Sequence, residues 1–155
     1  MGSTTHVRAG DQSIVHRRTF AASVEDVHRG HTTADLFVRW MGPHGSHVRL
    51  DHFDPTTGGA YDYTVEVGDG RYRFWGSYHE VLPNRIVHTW QFEGEHGVTL
   101  EILDLVEVAP GLTDLVITSV YSTKEACDEM VASGLDEGGM DSDHDRIDEL
   151  LAQLA

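Results

Sequence analysis

Tyr61-Asp62-Tyr63-Thr64-Val65-Glu66-Val67 alternates apolar and polar side chains and runs into Gly68-Asp69-Gly70. Successive residues of a strand point to opposite faces, so this stretch reads as a strand with one dry face and one wet face. The Gly-Asp-Gly triplet suits a hairpin turn. The partner strand is expected from Arg71 to Val81, stopping at Pro83-Asn84. A hairpin of this kind belongs to an antiparallel sheet whose apolar face needs a cover.

Upstream, Val48 and Leu50 alternate with polar residues and lead to the turn Asp54-Pro55-Thr56-Thr57-Gly58-Gly59. Before them, Ser23 and Asp26 form a capping-box pattern that opens a short helix. Thr32 or Thr33 caps a second helix carrying Leu36, Phe37 and Trp40, and Gly42-Pro43 ends it. Residues 13–20 read as a first strand, and residues 1–12 as a flexible segment preceding a domain of residues 13–155. Downstream, Ile86, Trp90 and Phe92, with His88 among them, define a strand. Val98, Leu100 and Ile102 start another, and Leu115, Ile117 and Tyr121 belong to the last. The C-terminus is helical: a piece over 124–133 breaks at Gly134 and Gly138-Gly139, and Asp141 or Ser142 caps a second piece. Ile147, Leu150, Leu151 and Leu154 form a single apolar stripe at helical spacing, the natural lid for the sheet.

A chain of 155 residues is one domain by size, and its 39% apolar content suits a globular fold. No run of about 18 apolar residues is present, so no membrane insertion is expected, and the N-terminus shows no apolar signal region. Cys127, the one cysteine, reads as a packing residue, and a cytoplasmic, reducing location is expected. A net charge of −15 repels phosphate backbones, so no nucleic acid is expected as a partner. No nucleophile elbow, phosphate loop or dinucleotide fingerprint occurs, so no cofactor is expected. His44-x-x-His47 is the one tight histidine pair, but it lies in a Gly-Pro loop without a ligand frame, and no metal is assigned to it.

The order Ser23…Val27…Thr32-Thr33…Trp40…Gly42-Pro43, then Gly58-Gly59, then Phe74-x-Gly76-x-Tyr78-x-Glu80-Val81-x-Pro83-x-Arg85-Ile86-Val87-x-Thr89-Trp90, resembles the heat-shock-protein-90 ATPase activator homologue family of the START-like (SRPBCC) superfamily. Asp145-Arg146-Ile147-Asp148-Glu149-Leu150-Leu151 is similar to that family's closing helix. The resemblance implies an α+β helix-grip (START/Bet v-like) fold. In it, a curved antiparallel sheet of about six or seven strands wraps a long C-terminal helix, with two short helices after the first strand and a cavity between sheet and helix. The sequence departs from the family pattern at His28, at Gly30-His31 and at Gly139-Met140. The superfamily spans lipid carriers, hormone receptors, aromatase/cyclases and stress proteins, so the fold alone does not select a function.

The aromatic residues on the expected dry faces exceed what one helix covers, so some should line a pocket. Tyr61, Tyr63, Phe74, Gly76, Tyr78, His88, Trp90, Phe92, Ile102, Ile117, Tyr121, Met130 and Met140 are the candidate lining residues. Tyr78 and Tyr121 are suited to orient a polar ligand group, since buried hydroxyls seek partners. Gly76, in an otherwise bulky strand, marks a bulge, a bend or a close approach. The expected function is binding of a small hydrophobic or amphipathic molecule. One alternative is a cofactor-free enzyme of cyclase or dehydratase type using His88, His52 and Glu80, with Glu101 and Asp104 in the next strands. Another is a chaperone-associated interaction module. A homodimer is compatible with the superfamily.

Overall fold

The computed structural model describes residues 2–155 and contains eight strands and four helices in the order β1 (Thr5–Arg8), β2 (Ser13–Phe20), α1 (Val24–Thr32), α2 (Ala34–Trp40), β3 (His47–Phe53), β4 (Ala60–Val67), β5 (Gly70–Leu82), β6 (Arg85–Phe92), β7 (Thr99–Ala109), β8 (Leu112–Val120), α3 (Lys124–Ser133) and α4 (Leu135–Leu154). One antiparallel sheet holds all eight strands in the order β1-β2-β8-β7-β6-β5-β4-β3. Six or seven strands were expected; the additional one is β1, inside the segment read as a flexible tail. Thr-His-Val-Arg has no dry face, and Val7 is exposed. Backbone pairing from Thr5↔Arg17 to Arg8↔Ile14 holds the strand instead. Met1 lies outside the described residues.

The helix starts follow capping chemistry. The Ser23 hydroxyl accepts a hydrogen bond from the Asp26 N–H and opens α1, as its capping box requires. Thr33 stands at the start of α2, although its side chain makes no capping bond. The Trp40 indole fixes the two helices together by donating to the Gly30 carbonyl at 2.8 Å. Gly134 ends α3 in the left-handed conformation, φ 67°, which glycine adopts without strain. The break expected at Gly138-Gly139 does not occur: α4 runs unbroken through both, so Asp141 and Ser142 are interior residues and not caps. Each glycine costs a helix about 1 kcal/mol relative to alanine. The downstream stripe outweighs that cost, because Ile147, Leu150 and Leu151 are buried against the sheet.

Bulges decide which side chains face inward. The register shifts between Leu50 and His52, which turns His52 out to solvent and brings Phe53 against the core. A second shift falls between Tyr78 and Glu80. In β7 the inward residues are Glu101, Leu103 and Leu105, paired with Ser119, Ile117 and Leu115 of β8. Ile102 therefore lies on the opposite face of the sheet, since a one-residue offset reverses every side chain. The alternation of Val98, Leu100 and Ile102 suggests the reverse. None of the helices among the described residues is long and apolar enough to cross a membrane.

Candidate functional site

Tyr78, His88, Glu101 and Ser119 are register partners on the inner face, one each from β5, β6, β7 and β8. Tyr61 of β4 sits opposite Gly76, and the missing side chain there lets it join the row. Its ring lies 5.2 Å from that of Tyr78 and 5.7 Å from that of His88. The Tyr61 hydroxyl donates to the Thr89 carbonyl at 2.6 Å. That carbonyl is free because the ladder opens here: the Ser77 N–H turns to the Thr89 hydroxyl instead. A Cβ on Gly76 would come within 1.8 Å of the Thr89 oxygen, so the close approach requires glycine.

Charge states follow from burial. His88 Nδ1 lies 3.1 Å from the Tyr61 oxygen and 3.2 Å from the Thr89 oxygen. Burial lowers the pKa of His88 to about 4, so the ring is neutral near pH 7. Glu101 accepts a hydrogen bond from Ser119 at 2.7 Å, and its second oxygen stands 3.5 Å from His88 Nε2. With His88 neutral, that contact is not an ion pair. Burial, and then the nearby Asp136 charge, raise the Glu101 pKa to about 7, against opposing contributions from Ser119, His16 and Trp90. Both side chains retain some accessible surface, 15% for His88 and 12% for Glu101. The Tyr78 hydroxyl makes no hydrogen bond among the described residues.

A second polar group lies beside this row. The Tyr121 hydroxyl donates to Asp136 at 2.7 Å, and His16 Nε2 stands 3.1 Å from the same carboxyl oxygen. The His16 contact is close enough for charge attraction but is not aligned as a hydrogen bond. Burial opposes ionisation of Asp136, yet His16 and Tyr121 outweigh it and hold its pKa below the usual range. His16 in turn meets His6, which reaches Asp141 of α4 at 2.8 Å. Further along α4, burial raises the Asp143 pKa to about 8 despite the nearby Arg146. The Arg146 guanidinium donates to the carbonyls of Arg39 at 2.6 Å and Met41 at 3.3 Å, and also to Gly42, sealing the end of α2.

The structure gathers most of the candidate lining residues. Tyr61, Tyr63, Tyr78 and Ile117 are buried in the main core, with Phe74, Trp90 and Met140 partly buried against it. Tyr121 belongs to a smaller cluster with Ile14 and Cys127, where Trp90 and Met130 also pack. Phe92 lies at the end of the row, 5.0 Å from Phe74. Ile102 is excluded by its orientation. Of the acid–base set only His88 and Glu101 come together: His52 is exposed, Glu80 meets Arg85 at 3.4 Å near solvent, and Asp104 meets Arg85 at 2.6 Å on the outer face. Two open grooves, of about 460 Å³ beside Arg49, Thr64 and Arg73 and about 560 Å³ between α1 and β5 beside Val24, His28 and Val81, are not lined by the C-terminal helix α4. Access to the inner row is confined to its half-buried members. Sequence reasoning missed Ser119, Asp136, His16 and His6. Their signal was a polar residue at an apolar period, with partners far away in the chain.

A protein-family model described as Activator of Hsp90 ATPase homolog 1-like protein matches residues 21–152. No curated protein matches the chain. A crystal structure of a protein from Rhodobacter sphaeroides is similar with a TM-score of 0.88 at 26% identity, covering 97% of this chain and 99% of that one. A solution structure from Staphylococcus epidermidis has a TM-score of 0.84 at 24% identity, covering 96% of this chain and 94% of that one. A crystal structure from Mycobacterium smegmatis has a TM-score of 0.85 at 20% identity, covering 99% of both chains. The last two likenesses concern the fold alone.

Proposed function

The chain belongs to the Activator of Hsp90 ATPase homolog 1-like family, and on that premise we propose that it binds a small amphipathic molecule against the inner face of its sheet. The observation that carries this reading is the row of Tyr61, Tyr78, His88 and Glu101, where aromatic rings stand beside polar side chains that keep some accessible surface. A ligand group that hydrogen-bonds the Tyr78 hydroxyl in place of solvent gains about 1 kcal/mol. Phe74, Trp90 and Met140, packed but not fully covered, supply the apolar wall.

The test is a calorimetric or NMR titration with small aromatic alcohols and amines. Saturable binding should shift Phe74, Trp90 and Tyr78 resonances. Tyr78→Phe should weaken binding about five- to tenfold, the value of one hydrogen bond of about 1–1.4 kcal/mol. If no compound perturbs the inner row, the proposal fails.

Glu101 supports a second reading, cofactor-free proton transfer on a bound substrate. A carboxyl poised near pH 7 beside a neutral imidazole is suited to accept and return a proton. Exchange of deuterium into a bound ketone, lost in Glu101→Gln while binding persists, would establish it. Equal exchange in the variant would dismiss it.

A further inference from the structure

The contacts around His88 fix which ring nitrogen carries hydrogen. The Tyr61 hydroxyl spends its one hydrogen on the Thr89 carbonyl. Both neighbours of His88 Nδ1, the Tyr61 oxygen and the Thr89 oxygen, are therefore acceptors. Nδ1 must be the protonated nitrogen, and the neutral ring presents a bare lone pair at Nε2. That lone pair faces Glu101 Oε1 at 3.5 Å. Two acceptors confront each other with no hydrogen assigned between them. The other Glu101 oxygen is already served by Ser119.

Three kinds of group can bring hydrogen to this contact, with different results. Glu101 can take a proton itself and donate to Nε2, which suits the unliganded protein because burial already holds its proton tightly. A ligand hydroxyl has one hydrogen and, beside an ionised Glu101, serves one acceptor and leaves the other bare. A ligand ammonium has three hydrogens and serves both at once, while neutralising an ionised Glu101. The Tyr78 ring, 5.9 Å from that of His88, and the Tyr61 ring, 5.7 Å from it, make the surroundings of the imidazole aromatic. Asp136 adds a second negative charge near Glu101.

Resting on the proposed binding site, we propose that its ligand is an amphipathic primary amine whose nitrogen bridges Glu101 Oε1 and His88 Nε2. The apolar part lies along Phe74 and Trp90. The site rejects carboxylates, since an anion would bring a third acceptor to two that already repel.

Three naphthalene probes of matched size test this on the full chain by calorimetry near neutral pH: 1-naphthylmethylamine, 1-naphthalenemethanol and 1-naphthoate. The amine should bind at least tenfold more tightly than the alcohol, and naphthoate should bind most weakly. Glu101→Gln should lower amine affinity tenfold or more and change alcohol affinity less than threefold. Alcohol or naphthoate binding as tightly as the amine overturns the amine assignment while leaving a binding site in place. If none of the three binds, the binding-site reading itself fails, and this inference with it. The wild-type comparison stands alone should Glu101→Gln not fold.

Discussion

His6 and His16 face each other Nδ1 to Nδ1 at 2.7 Å, with Asp141 beyond one ring and Asp136 beyond the other. Only one of the two nitrogens can hold the hydrogen of their contact, so the pair is satisfied only as a unit. It ties β1 and β2 to the start of α4. His6→Ala leaves a fully buried His16 nitrogen without its partner. We expect a loss of about 1–3 kcal/mol in urea unfolding. Asp141→Asn, at a side chain 52% exposed, should cost less than about 1 kcal/mol. Equal effects from the two substitutions would contradict the buried-pair account.

Glu101 makes stability depend on pH in a defined direction. Its folded pKa, about 7, exceeds the ordinary value of 4.5, so the folded state holds the proton more tightly. The stabilisation from this group is complete below pH 4.5 and is lost as pH rises through about 7. Glu101→Gln removes that loss. Relative to wild type, the variant should gain stability between pH 5 and 8 by an amount on the order of 1–3 kcal/mol. Unfolding curves at both ends of that window measure it; a constant difference between the two proteins would show that Glu101 keeps an ordinary pKa.

Glycine substitutions in β5 and in α4 should have opposite signs. Gly76→Ala places a methyl against the Thr89 carbonyl at 1.8 Å, backbone that cannot move without parting β5 from β6. A loss of about 3 kcal/mol or more is expected, comparable to severe overpacking. Gly138→Ala and Gly139→Ala meet no atom within 4 Å on an exposed helix face. Each should gain about 0.5–1 kcal/mol, which raises Tm by about 1–4 °C in a domain of this size. Calorimetry of the three variants decides the matter.

Arg18 is only 3% exposed and bridges Asp145 at 2.8 Å and Asp148 of α4. Arg18→Met should cost about 2–3 kcal/mol, below the range for a fully buried pair because Asp145 can return to water. Asp145→Asn, at a mostly exposed carboxylate, should cost less than about 1 kcal/mol. Denaturant midpoints compare the two; a smaller loss for Arg18→Met than for Asp145→Asn would refute the bridge as a buried anchor.

The elements legible in the sequence are those with a local signal. Ser23 with Asp26, the alternation from Tyr61 to Val67 and the stripe from Ile147 to Leu154 each carry a period or a cap that short-range physics interprets. What escaped depends on distant partners. Thr5–Arg8 pairs only because β2 offers an edge and His6 finds Asp141. His52 enters the acid–base set from the sequence because a bulge at residue 51 leaves no mark in the alternation itself. Glu101 points inward because Leu103 and Leu105 set the phase of β7, while Leu100 and Ile102 argue equally well for the other phase. His16 and Arg18 are buried polar residues whose counter-charges arrive with α4, and no local pattern announces them.

That dependence on α4 governs how the chain matures on a ribosome. β2 has no central neighbour until β8 is made, and the Arg18 guanidinium on its inner face stays unmatched until α4 emerges. A nascent chain halted before residue 135 would carry Arg18 facing an uncovered sheet, with no acid to receive it. Such a product cannot settle into a false native state, because sealing the sheet without α4 would strand that charge in a dry interior. Such a chain stays open to proteases until α4 docks.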